Sequence, residues 1–181
     1  MKIKLHDLYF ENFMDKSEII KLVDKIADEI KSDYTDTSNL IVIGVLNGAV
    51  PFFNDLIFKL PNNICIDFIK TSSYGNSTQS SGRIKLVMDN QMDLTDKDVI
   101  IVEDIVDSGL TQKFLKEHFL LKKTKSVKIC SLFYKSCNSK TGVVPDYFGI
   151  DIPDYFIVGY GLDYAQHGRN IDSILKVVEN N

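Results

Sequence analysis

The chain of 181 residues has the length of one compact domain, and its 44% hydrophobic and 25% charged residues are the proportions of an ordinary globular protein. Lys and Arg number 21 against 25 Asp and Glu, a formal net charge of −4, so the clustered basic surface that nucleic acid or an anionic membrane would need is missing. No apolar run approaches the roughly 18 residues of a spanning helix, and Met1-Lys-Ile-Lys-Leu-His-Asp7 lacks the apolar stretch of a secretory signal. The expectation is a cytoplasmic protein with no nucleic-acid or membrane partner. Cys65, Cys130 and Cys137 are odd in number without C-x-x-C spacing, and His6, His118 and His167 are scattered. Neither a disulfide framework nor a zinc cluster is expected.

Residues 3–9 read as a short strand. Asp15-Lys-Ser-Glu18 has the form of a capping box, and Ile19, Ile20, Val23, Ile26, Ala27 and Ile30 follow at helical spacing, predicting an amphipathic helix over 16–32. Residues 40–45 are a continuous apolar run of the kind buried on both sheet faces. Asn47-Gly48 ends it, and Pro51 suits the first turn of a helix carrying Phe52, Phe53, Leu56 and Ile57. Strands are predicted over 64–70, 83–88 and 98–103, then a helix over about 111–122. Ser126–Tyr134 and Tyr155–Tyr160 read as further strands and 171–178 as a terminal helix. Buried strands alternating with amphipathic helices predict an α/β fold, a mostly parallel central sheet flanked by helices, as one domain over 1–181. Ligands in such sheets sit beyond the carboxyl ends of the strands, which here means the loops after residues 45, 103, 134 and 160.

The segment Val99-Ile-Ile-Val-Glu-Asp-Ile-Val-Asp-Ser-Gly-Leu-Thr111 carries the strongest chemical signal. Glu103 and Asp104 are adjacent carboxylates, Asp107 follows three residues later, and Ser108, Gly109 and Thr111 are small residues entering a helix. Crowded acids need relief from a metal, a hydroxyl donor or a raised pKa, while free amides at a helix start hold anions. An acidic pair beside an anion cradle fits a sugar phosphate: carboxylates for the hydroxyls, amides for the phosphate. Taken alone, the fragment is equally compatible with a capped helix and solvated acids.

This string resembles the phosphoribosyl pyrophosphate-binding signature of type I phosphoribosyltransferases. Gly44-Val-Leu-Asn-Gly-Ala49, Ser72-Ser-Tyr-Gly75, Phe133-Tyr-Lys-Ser136 and Val158-Gly-Tyr-Gly-Leu-Asp-Tyr164 with Arg169 extend the similarity to the hypoxanthine-guanine (6-oxopurine) branch over roughly residues 5–178. The resemblance implies the fold of that family, with a small hood built from the terminal segments. It also implies Mg²⁺-dependent transfer of the phosphoribosyl group from phosphoribosyl pyrophosphate to hypoxanthine or guanine, giving IMP or GMP and pyrophosphate, in a homodimer or homotetramer.

By the same resemblance, Glu103 and Asp104 hold the ribose hydroxyls, Asp107 acts as general base near the purine N7, and residues 107–111 hold the 5′-phosphate. Leu110 stands where relatives often carry Lys or Arg. Leu46, Asn47 and Gly48 match the pyrophosphate loop, with Asn47 replacing another frequent cation. Ser73, Tyr74 and Arg169 complete that set, the first two within a lid over about 71–82. Lys135 would donate to the 6-oxo group, which adenine lacks, Phe156 would stack on the base, and the backbone of Ile157 and Asp163 would face its edge. Asp163 would bind Mg²⁺ together with Glu103 and Asp104. Read without the resemblance, Asn47-Gly48 is a tight turn, Phe156 a core residue, and Lys135 and Arg169 solvated cations. Two alternatives stay open: a xanthine-preferring enzyme, and a phosphoribosyl pyrophosphate-sensing regulator on the same fold. A Rossmann or Walker-type nucleotide binder is disfavoured, since neither G-x-G-x-x-G nor G-x-x-x-x-G-K-[ST] occurs.

Overall fold

The computed structural model describes residues 2–73 and 84–178. The first strand expected becomes a hairpin: β1 (Lys2–Leu5) and β2 (Leu8–Met14) pair antiparallel. His6 turns the chain between them at a φ of 55°, without the Gly or Pro that would mark a turn in the sequence. Helix α1 (Lys16–Asp33) starts where the capping box places it, the Glu18 carboxylate accepting from the Asp15 N–H at 2.8 Å.

Next come β3 (Leu40–Leu46), α2 (Val50–Ile57), β4 (Cys65–Ser73), β5 (Ile84–Met88), β6 (Asp98–Val106), α3 (Leu110–Leu121) and β7 (Ser126–Tyr134). They are followed by β8 (Tyr147–Asp151), β9 (Ile157–Val158) and β10 (Ile174–Val177). Six strands form the central sheet in the order β5-β4-β3-β6-β7-β8; all neighbours are parallel except β5, which runs antiparallel to β4. The all-apolar β3 and the first half of β6 lie side by side in its middle because both of their faces are covered. On one face, Ile19, Val23, Ile26 and Ile30 of α1 and Phe52, Phe53 and Leu56 of α2 pack on Val42, Ile100, Val102 and Leu132. On the other, Leu115 and Phe119 of α3 pack on Ile41, Ile43, Val99 and Ile101.

The second sheet, β1-β2-β10-β9, is built from the two ends of the chain around Phe10, Val158 and Leu175. It is the hood. Its formation corrects two expectations. Residues 171–178 are not a helix: the pairing of β10 with β2 shifts register between Ile174 and Leu175, so both side chains are buried, one in each core. That bulge breaks strict alternation and leaves apolar spacing that imitates a helix. The strand expected over 155–160 shrinks to Ile157–Val158, with positive φ at Gly159, Tyr160 and Gly161 ending it.

β8 was not predicted, its apolar residues being interrupted by Gly149 and flanked by Pro145 and Pro153. The expected lid over 71–82 begins as strand, since Thr71, Ser72 and Ser73 pair with Leu86, Lys85 and Ile84. Tyr74 and the rest of that segment lie outside the described residues. Among the described residues, no helix is long and apolar enough to cross a membrane.

Candidate active site

β3, β6 and β7 are parallel, so their carboxyl ends bring three loops to one edge of the central sheet, and the β9–β10 connection from the hood meets them there. After β3, the Leu46–Asn47 peptide is cis. Gly48 is buried, and a Cβ on it would overlap the Asp104 carboxylate. Gly161 is fitted as tightly: a Cβ there would overlap the Gly48 carbonyl oxygen. The segments at 48, 104 and 161 are thus stacked without room for a side chain at either glycine, a close approach only Gly permits. Arg169 is held over this stack, its Nη1 donating to the Gly161 carbonyl at 2.8 Å and its Nη2 pairing with Asp163 Oδ1 at 2.6 Å. Asn47, Arg169, Gly161 and Pro51 line one cavity.

β6 runs on to Val106, three residues past the expected end, and this separates the acidic pair. Successive strand side chains point to opposite faces. Asp104 faces Gly48, whereas Glu103 turns toward α3 and accepts from Gln112 Nε2. Glu103 is 5% exposed and its Oε1 has no partner. Burial, and then the Asp104 charge, push the Glu103 carboxyl up to about 8, against the lowering influence of Gln112. Burial likewise pushes Asp104 up to about 6; the Ile105 N–H and Arg169 lower it and the Asp163 charge raises it.

Beyond Val106, Asp107 is exposed, and Gly109 caps α3, which starts at Leu110 rather than Thr111. The amides of that first turn have no intrahelical partner. Asp107 and Ser108 line a cavity of about 560 Å³ with Cys137, Asn138, Ser139 and Lys140. Lys135 lies beside it, 7% exposed, its own N–H donating to the Val106 carbonyl at 2.9 Å. Its ammonium donates to Asp154 Oδ1 at 3.0 Å, which also accepts from Asn138 Nδ2 at 2.7 Å. Phe156 is 43% exposed, with the Tyr164 ring edge-on at 5.5 Å, while Ile157 is buried in β9.

The family model for the phosphoribosyl transferase domain matches residues 10–165 of this chain. The hypoxanthine-guanine phosphoribosyltransferase of Bacillus subtilis is 45% identical over 161 residues, 89% of each chain, and that of Aquifex aeolicus 38% identical over 164 residues, 91% of this chain and 92% of the other. Among solved structures, the Bacillus anthracis hypoxanthine-guanine phosphoribosyltransferase superposes with a TM-score of 0.86 at 42% identity, covering 93% of this chain and 98% of that one. The chain belongs to the phosphoribosyltransferase family, in its hypoxanthine-guanine branch.

A phosphoribosyltransferase of this branch is expected to work with Mg²⁺, so the donor set matters. The Asp163 charge makes ionisation of Asp104 costlier near the Gly48–Gly161 stack, a cost that a cation would relieve, and two hard carboxylates completed by substrate oxygens and water are a set that Mg²⁺ accepts. Among the described residues, no three acidic, His or Cys side chains converge into an all-protein cage. Glu103, the third expected ligand, faces Gln112 on the opposite side of the strand.

Sequence reasoning passed over Gln112, Asp154 and the partners of Tyr160. Gln112 carried a signal in hindsight, since it lies nine residues after Glu103 and one turn into the helix that packs on that face. Asp154 carried none, because no sequence spacing links it to Lys135.

Proposed function

We propose that this phosphoribosyltransferase moves the 5-phosphoribosyl group from phosphoribosyl pyrophosphate to hypoxanthine or guanine, releasing pyrophosphate and forming IMP or GMP in cytoplasmic purine salvage, as a homodimer or homotetramer. The observation that carries the reading is the meeting of the N-terminal amides of α3, an exposed carboxylate and a buried lysine at one edge of the sheet, in a chain 45% identical to a hypoxanthine-guanine phosphoribosyltransferase.

The amides of residues 108–111 and the Ser108 and Thr111 hydroxyls hold the 5′-phosphate; Leu110 adds no charge there. Asp104 accepts from the ribose hydroxyls. Glu103, tied to Gln112, supports the strand end from behind. Leu46, Asn47, Gly48 and Arg169 bind pyrophosphate, Arg169 supplying the cation that Asn47 does not; Ser73 and Tyr74 belong to the same set by resemblance. As the bond to pyrophosphate breaks, the ribose carbon gains positive charge, so positioning and electrostatics do the work without a protein nucleophile. Asp107 takes the proton from the purine N7 as the other imidazole nitrogen attacks the ribose carbon. Lys135 donates to the 6-oxo group with its ammonium braced by Asp154, and Phe156 covers the base against the Ile157 and Asp163 backbone. Mg²⁺ held by Asp104, Asp163 and the substrate would neutralise the diphosphate.

Pyrophosphate release tests this directly. Release that needs both a purine and Mg²⁺ is the expected result. Release without a purine, or binding of phosphoribosyl pyrophosphate with no release under any condition, rejects transfer, and the latter outcome favours the sensor.

A further inference from the structure

One part-buried polar junction outside the ligand loops ties the two halves of the site together. Asp55 on α2 accepts a hydrogen bond from the Tyr160 hydroxyl at 2.6 Å, and the same Oδ2 pairs with the Lys16 ammonium at 2.5 Å. That ammonium also stands 4.3 Å from the centre of the Tyr160 ring. Tyr160 is 3% exposed, and its N–H donates to the Ile171 carbonyl at 2.7 Å. Burial pushes the Asp55 carboxyl up, but the hydrogen bonds from Lys16 and Tyr160 outweigh it and hold the group below its ordinary range. The hydroxyl therefore meets a charged acceptor, the stronger kind of hydrogen bond.

The position of this junction in the chain matters more than its strength. α2 begins at Val50, immediately after the 46–49 loop, so Asp55 rides on the helix that directly follows Asn47 and Gly48. Tyr160 directly precedes Gly161, which is joined to Arg169 twice: its N–H donates to the Arg169 carbonyl at 3.0 Å, and its own carbonyl accepts from Arg169 Nη1. A shift of Tyr160 is passed through Gly161 to the Arg169 guanidinium and its partner Asp163, and a displacement of this kind is costly where charges must meet a diphosphate. Filling the space would need only a phenylalanine, so the hydroxyl has a purpose beyond packing.

We propose that Asp55 and Tyr160 are positioning residues, whose hydrogen bond sets the 161–169 loop, with Asp163 and Arg169, against the 46–48 loop at the separation that binding of the pyrophosphate group requires. The proposal rests on the reading of function given above.

Tyr160→Phe tests it cleanly, because the ring stays and Asp55 keeps Lys16. The Kd for phosphoribosyl pyrophosphate from calorimetric titration, and the KM from turnover, should both rise about three- to tenfold, with kcat at saturation held within about twofold. Asp55→Leu should give the same split, and Asp55→Asn, whose carbonyl oxygen still accepts from Tyr160, should restore near-normal affinity. Unchanged affinity in Tyr160→Phe overturns the proposal, as does an Asp55→Asn variant as impaired as Asp55→Leu. If the unaltered chain transfers to no purine, the functional reading falls, while the titration still decides the positioning role by comparing the variants with the parent chain.

Discussion

Asp107 stands exposed one residue past the end of β6 and shares its cavity with Ser108 and the 137–140 segment. A carboxylate placed in the open at a strand end can reach a ligand, whereas Glu103, buried on Gln112, cannot do so without moving. Asp107→Asn keeps the shape and removes the basicity, so kcat should fall about 100- to 10,000-fold, the usual contribution of a general base. Binding of phosphoribosyl pyrophosphate, followed by titration calorimetry, should change little. Near-normal turnover in this variant would remove Asp107 from the base role. The sequence made Asp107 conspicuous through its spacing from Glu103 and Asp104. It could not show that those two acids part company, because that depends on β6 continuing to Val106 and so keeping its alternation through both.

The tie between β6 and α3 belongs to the scale of elements. Glu103 and Gln112 bridge the ends of the loop that carries Asp107, Ser108 and Gly109. Glu103 Oε1 already lacks a partner. Gln112→Leu would leave the other buried oxygen without its donor as well, at a cost of about 1–3 kcal/mol. Urea denaturation should show a lower midpoint with an unchanged slope; an unshifted midpoint would mean that water replaces Gln112. At this scale the buried strands β3, β6 and β7 were the most legible elements, since a run apolar on both faces has few other places to go. α1 was equally clear from its cap and its spacing. The hood was legible in part: residues 3–9 and 155–160 read as strand, but its assembly from the chain ends came only through resemblance. Its last strand is bulged, its first two form a hairpin turned without Gly or Pro, and β9 is two residues long, so only the four residues of β1 alternate cleanly in the period-2 pattern by which a strand is recognised.

For the whole molecule, two ionic junctions supplement the apolar packing of the helices and the loop after β9 around the central sheet. Asp55 joins α1 and α2 to the loop after β9, and Asp89 joins the segment after β5 to His118 and Lys122 at the end of α3. In each case burial raises the carboxyl pKa and hydrogen bonds to the cations more than reverse this, leaving it below the ordinary value of 3.8. A carboxyl lowered on folding contributes stability that is complete above its unfolded pKa and is lost as pH falls through its folded one. The contribution of Asp55 and Asp89 to the thermal midpoint should therefore be complete down to about pH 4 and be lost below it, and Asp89→Asn should make the drop of the midpoint below pH 4 shallower. A drop of equal steepness in the variant would show that Asp89 does not contribute.

The central claim is that this architecture turns a 6-oxopurine and phosphoribosyl pyrophosphate into a nucleotide, with Lys135 reading the oxygen. Its most direct test is nucleotide formation with Mg²⁺ and four bases side by side: hypoxanthine, guanine, xanthine and adenine. The account predicts turnover of hypoxanthine and guanine and little or none of adenine, because the Lys135 ammonium can only donate and adenine presents a donor at that position. Preferred turnover of adenine, or equal turnover of all four bases, would contradict it.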